Sequence, residues 1–218
     1  MKKLIYIVSF SMIILSVFSC KSKTEKSMPK EVENMLEEVE EQAKSATTQT
    51  KIYTIKSCYI KFKNNVSGQE MIREWWFDDF GNKQFEDNYM IIMDTKTGSQ
   101  SIITDGYKYD WNYDETSGRK TKYKLYATTD YENVSAKDIE RYGIEKHGYE
   151  DILGKKCLKV TMKKPAEATT WIWNGTPLKT ISKYAGNEVI IEAIEIREGK
   201  VDDHLFELPS EVSFTESL

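Results

Sequence analysis

Tyr107-Lys108-Tyr109-Asp110-Trp111-Asn112-Tyr113-Asp114 places an aromatic ring at every second position and a polar group between each pair. Only an extended strand sends alternate side chains to opposite faces, so this octet reads as a β-strand with one aromatic and one polar side. Similar runs flank it. Lys51–Lys63 ends at Asn64-Asn65, and Gly68–Asp78 carries Trp75, Trp76 and Phe77 before Asp79-Phe80-Gly81-Asn82. Lys83–Asp94 follows, then Thr95-Lys96-Thr97-Gly98 as a turn and Gln100–Thr104 as a short strand before Asp105-Gly106. Ser117-Gly118 reads as a turn before Thr121–Ala127. Further on come Lys155–Lys163, Ala168–Asn174, Leu178–Tyr184 and Glu188–Glu198. Such close spacing predicts an antiparallel meander of about nine to eleven strands.

Two helices interrupt this pattern. Pro29 opens the first, where its missing N–H costs nothing. Val32, Met35, Leu36, Val39 and Ala43 recur at three- and four-residue steps, with Glu31, Glu33, Glu37, Glu38, Glu40 and Glu41 on the other face. The second starts at Ser135, a capping residue with Asp138 three positions later, before Ile139-Glu140-Arg141-Tyr142. The expected class is therefore mainly β with α (α+β).

The composition supports a folded chain. Of 218 residues, 39% are hydrophobic and 26 are aromatic (8 Phe, 5 Trp, 13 Tyr), which is too apolar for a disordered chain. A net charge of −4 argues against nucleic acid as the main partner, because phosphate binding needs a basic surface. Two histidines leave little room for a His-rich metal centre.

The N-terminus differs in kind from the rest. Met1-Lys2-Lys3 is basic, and Leu4 to Phe18 is apolar apart from serines, as in a secretory signal. It is shorter than the roughly 20 apolar residues of a membrane-spanning helix. Leu15-Ser16-Val17-Phe18-Ser19-Cys20 resembles the bacterial lipobox, in which the cysteine is lipidated and becomes the new N-terminus. That resemblance implies a covalent lipid on Cys20, diacylglycerol plus an amide-linked chain such as palmitate, and attachment to the membrane. It implies no other cofactor. The alternatives are a short transmembrane anchor or an ordinary signal cut after Ser19. The expected organisation is a lipoprotein signal peptide at 1–19, a flexible tether at 20–28, and one β-rich domain at 29–218. Cleavage before Cys20 leaves 218 − 19 = 199 residues with net charge −4 − 2 = −6. Cys58 and Cys157 then remain, either as two buried thiols or as one disulfide, since an exported chain meets an oxidising compartment.

The second half carries a further resemblance. Ile152-Leu153-Gly154-Lys155-Lys156-Cys157 precedes Trp171-Ile172-Trp173 with Gly175-Thr176-Pro177, and the chain ends through Asp202-Asp203-His204-Leu205-Phe206-Glu207-Leu208-Pro209. This resembles the outer-membrane lipoprotein carrier superfamily (LolA/LolB-like), and within it the uncharacterised bacterial lipoprotein branch. The resemblance implies a half-open antiparallel β-barrel wrapped around an N-terminal helix and a short mid-chain helix, with an apolar cavity between sheet and helices. It implies a place in the bacterial envelope, at the outer membrane.

The strand pattern nominates lining residues. Arg73, Trp75 and Phe77 share one face of their strand, Tyr89 shares a face with Phe85, Ile91 and Met93, and Tyr107, Tyr109 and Trp111 share a third. They either line a site for a lipid or other hydrophobic ligand, or simply fill a core. A second functional reading is an interaction or sensor module, with one of Trp75 and Trp76 exposed to dock an envelope protein. No catalytic motif is present: there is no phosphate loop, no Gly-x-Ser-x-Gly and no His-Glu-x-x-His. Asp78-Asp79 and Asp202-Asp203-His204 read as turn caps before they read as metal ligands. The expectation is a binding protein, not an enzyme.

Overall fold

The structure is a computed structural model that describes residues 51–66, 69–124, 129–184 and 187–216. The expected signal segment, Cys20 and the expected helix beginning at Pro29 lie outside the described residues. The strands are β1 (Cys58–Val66), β2 (Gln69–Asp78), β3 (Lys83–Ile92), β4 (Thr95–Thr104), β5 (Tyr107–Asn112) and β6 (Ser117–Lys122). One helix, α1 (Ala136–Tyr142), separates these from β7 (Glu145–Ile152), β8 (Lys155–Met162), β9 (Ala168–Trp173), β10 (Thr176–Tyr184), β11 (Asn187–Glu198) and β12 (Ser213–Glu216).

All twelve strands belong to one sheet, in the order β12-β6-β5-β4-β3-β2-β1-β11-β10-β9-β8-β7. It is open: β7 and β12 are its two edges. The first six strands form one meander and the next five another. They are joined where β1 pairs antiparallel with β11, from Cys58 opposite Glu198 to Val66 opposite Val189. A bulge between Lys61 and Phe62 leaves Ile194 without an opposite number on β1.

Three expectations about boundaries need correction. Thr95–Gly98 is strand, not turn. The reversal lies at Met93-Asp94, both at positive φ (47° and 62°), as a two-residue hairpin of the twist-matched type requires. Ser117-Gly118 is likewise strand. Gly118 is needed there because a Cβ would lie 2.5 Å from the Phe214 ring. Residues 51–57 do not extend β1. Instead the backbone N–H groups of Ile52 and Tyr53 donate to the Phe80 carbonyl, which tucks both side chains into the core.

The helix forms as its sequence predicts. The Ser135 side chain accepts from the Asp138 N–H (3.2 Å), and Gly143 ends the helix in the left-handed conformation (φ 60°). Tyr142 and the following Ile144 pack on Leu158, Val160 and Met162 of β8.

The main core joins the two meanders. Ile60, Phe62, Trp75 and Phe77 belong to one cluster with Ala193, Leu178, Trp171, Trp173 and Cys157, closed over by Ile52 and Tyr53. A separate cluster, Ile102, Tyr109 and Trp111, is covered by Val212 and Phe214 from the C-terminal arm. The arm ends as β12, paired parallel to β6. Phe214 meets Tyr109 and Trp111 edge-on, at 5.2 and 5.7 Å between ring centres. Phe214→Ala is expected to destabilise the chain by roughly 2 kcal/mol, below the full-core value because the ring is half-buried. Urea unfolding of the two proteins checks this.

Candidate functional site

Register decides which residues can act together, since directly opposed residues in a ladder share a face. Trp75 lies opposite Ile60 and Glu86, Glu86 opposite Ser101, and Ser101 opposite Asp110. Trp76 lies opposite Tyr59 and Phe85, Phe85 opposite Ile102, and Ile102 opposite Tyr109. Arg73, Trp75 and Phe77 therefore stand on one face, and Tyr89, Tyr107, Tyr109 and Trp111 on the other. The seven nominated residues do not converge on one site.

The Trp75 face is apolar at Ile60, Phe62, Trp75 and Phe77 and carries polar groups at Arg73, Gln84 and Glu86. Arg73 Nη2 donates to Glu86 Oε1 at 2.7 Å, with both side chains largely buried. The guanidinium also lies over the Phe62 ring (5.3 Å) and the Trp75 ring (5.1 Å). Trp75 Nε1 donates to Gln84 Oε1 (3.1 Å), and Gln84 Nε2 donates to the Gly81 carbonyl (2.8 Å). The Tyr53 ring packs against Trp75 and Phe77, at 5.3 and 4.7 Å between ring centres. Burial, together with Tyr123 nearby, holds its phenol above the ordinary range, and Arg73 partly offsets this. The sequence nominated Arg73, Trp75 and Phe77. It missed Glu86, Gln84 and Tyr53, because an acidic residue or an amide on an alternating strand reads as solvent-facing until a neighbour is known.

The opposite face is occupied. Arg197 lies over Tyr59 (4.1 Å), Tyr59 tilts against Trp76 (5.0 Å), and Trp76 stacks on Phe85 (5.2 Å). Tyr107, Tyr109 and Trp111 pack under the C-terminal arm, with Trp111 Nε1 donating to Gln100 Oε1 (3.1 Å). Tyr89 sits apart from them. Lys96 Nζ lies 3.9 Å from its ring centre and pairs with Asp87 Oδ2 at 2.6 Å. Asp87 also accepts from the Tyr113 hydroxyl.

Cys58 and Cys157 share the main cluster as free, buried thiols. Burial pushes the Cys58 thiol up to about 12, with Glu198 adding to it, and pushes Cys157 up to about 11. Neither is a reactive thiolate at neutral pH. The acidic pairs act as caps. Asp78 accepts from the Asp79 N–H (2.7 Å), and Asp202 accepts from the His204 N–H (3.1 Å) while His204 pairs with Glu207. No group of three or more His, Cys, Asp or Glu among the described residues is placed to hold a metal ion. No helix among them is long and apolar enough to cross a membrane.

Two outcomes follow from this geometry. Arg73→Leu or Glu86→Leu alone should destabilise by about 3 kcal/mol, because each takes a charge-assisted hydrogen bond from a largely buried charge, and the double variant should recover most of that loss. Chemical denaturation of the three variants measures it. For the thiols, a folded pKa above the unfolded one means stability is intact below the unfolded value near 9 and falls as pH rises towards 12. A disulfide-exchange dye should find no reactive thiol in the native protein and two after unfolding without reductant. A bridged pair would release none.

Neither a protein-family model nor a curated relative matches the sequence. Solved structures do match the fold. An uncharacterised conserved protein from Thermus thermophilus is similar at a TM-score of 0.54 and 9% identity, over 86% of this chain and 99% of that one. The MucA/MucB complex of Pseudomonas aeruginosa matches at 0.48 and 11%, over 72% of this chain and 57% of that one. A putative outer membrane lipoprotein-sorting protein domain from Vibrio parahaemolyticus matches at 0.31 and 11%, over 78% of this chain and 94% of that one. At 9% identity the likeness to the Thermus thermophilus protein is one of fold alone.

Proposed function

We propose that this chain is an envelope lipoprotein, held to the membrane by a lipid on Cys20, that binds a lipid or another hydrophobic ligand against the Trp75 face. The observation that carries the reading is the Arg73–Glu86 pair set into an apolar surface. Burying an ion pair costs several kcal/mol in desolvation, and well-packed apolar residues would stabilise the fold as well or better. A few polar groups converging in an apolar lining are how small-molecule sites orient what they bind. In this reading Ile52 and Tyr53, which close over Phe62 and Trp75, give way to the apolar part of the ligand, and Arg73 faces its polar end. Tyr107, Tyr109 and Trp111 act as core under the arm, so the ligand reading moves away from them. The docking alternative would use Trp76, which is half-buried in the row between Tyr59 and Phe85.

The test is native mass spectrometry of the protein extracted from membranes without denaturation, followed by titration with a fluorescent fatty acid. Bound mass in the lipid range beyond the covalent anchor is expected. The Arg73→Leu/Glu86→Leu double variant should stay folded and bind at least several-fold more weakly. A ligand-free protein that does not bind the probe would contradict the proposal.

A further inference from the structure

The β3–β4 hairpin ends in an exposed apolar tip. Ile91 is 60% exposed, Ile92 49% and Met93 95%, the last a larger exposure than any other large hydrophobic residue among those described. Ile91 and Ile92 are neighbours on a strand, so they project from opposite faces of the ribbon. Both are bare, so the tip reaches past the packed part of the sheet on both sides. Three consecutive exposed apolar residues are a liability in water unless they serve a contact. The turn residue makes the choice more pointed. Met93 takes the left-handed conformation (φ 47°), where Asn, Asp or Gly is the ordinary occupant.

Behind the tip stands a second layer of different chemistry. Lys96 Nζ lies 3.9 Å from the centre of the Tyr89 ring and 5.0 Å from that of Tyr113. Asp87 fixes the group, pairing with Lys96 and accepting from the Tyr113 hydroxyl. Lys96 stands opposite Ile91 across the hairpin, and its ammonium reaches back from the tip to Asp87, four residues or about 13 Å along the strand from Ile91. An apolar point followed at that depth by tyrosines and a lysine matches the layering of a bilayer, acyl chains first and then the interface where tyrosine and cationic side chains settle. Met93 and its two neighbours are too few to make a stable protein interface, which needs on the order of 800 Å² per partner.

We propose that the Ile91-Ile92-Met93 tip inserts into the outer part of a lipid bilayer, with Tyr89, Lys96 and Tyr113 as its interfacial belt. The contact gives the sheet a fixed end-on orientation at the membrane. It does not depend on the ligand-binding reading, which concerns the Trp75 face.

Depth-dependent quenching tests it. The full chain, purified from the cells that make it, is combined with vesicles of phosphatidylethanolamine and phosphatidylglycerol. Met93→Cys carries an environment-sensitive dye. Lys200→Cys, exposed beyond β11 at the opposite end of the sheet, serves as the reference. The buried Cys58 and Cys157 should not label in the native protein. The expected result is blue-shifted emission at residue 93 that lipids brominated in their acyl chains quench, with neither effect at residue 200. Ile91→Asp with Ile92→Asp, both at exposed positions, should lower that quenching at least several-fold without changing the circular dichroism spectrum. Water-like emission at residue 93 in the presence of vesicles would overturn the proposal. So would a blue shift that appears without vesicles and grows with protein concentration, since a second copy would then be covering the tip.

Discussion

The antiparallel ladder between β1 and β11 is the constraint on which the rest of the structure depends. It is the only pairing between the two meanders among the described residues. Through it, Ile60 and Phe62 of β1 meet Ile196 and Ala193 of β11. Without it, the Trp75 side of the first meander and the Trp171 side of the second would each present their rings to water, at roughly 25 cal/mol for each Å² of apolar surface left uncovered. The bulge at Ile194 is how the ladder serves both halves. One extra residue on β11 changes which of its side chains join the core, from Ile196 on one side of the bulge to Ala193 and Ile191 on the other.

From that ladder the two faces acquire separate jobs. Trp75 and Trp76 are adjacent, and the strand sends them to opposite sides. Trp75 enters the main core beside the Arg73–Glu86 pair, while Trp76 enters a row of rings running from Arg197 across to Phe85. The C-terminal arm then covers the far end of that second face with Val212 and Phe214. One face is closed by the chain's own tail, and the other keeps a buried charge pair among aromatic rings.

Much of the architecture was legible in the sequence, because period-two alternation is a local property. The aromatic run 71–77 and the cap at Ser135 formed as their patterns imply, and so did the octet as far as Asn112, with Tyr113 and Asp114 turning out of the strand. What could not be read was the phase between strands. Alternation says that Tyr107, Tyr109 and Trp111 share a face, but only register says that this face is the one carrying Trp76 and not Trp75. The edge strand β7 was missed for a related reason. Seven of its eight residues are exposed, so it has no buried face to impose alternation. Thr95–Gly98 was misread because its composition suits a turn, while the actual turn, Met93-Asp94, uses a methionine where composition gives no warning. The arm's contact with Trp111 joins residues about a hundred positions apart, with no local signature.

In the proposed reading, ligand binding and the arm-covered core lie on opposite faces of one sheet. Photocrosslinking with a diazirine-bearing fatty acid, read by peptide mass spectrometry, tests this most directly. The predicted result is labelling on peptides containing Phe62, Arg73 and Trp75, with Tyr109, Trp111 and Phe214 unlabelled. Labelling concentrated on Tyr109 and Trp111, with the Arg73 face untouched, would contradict it.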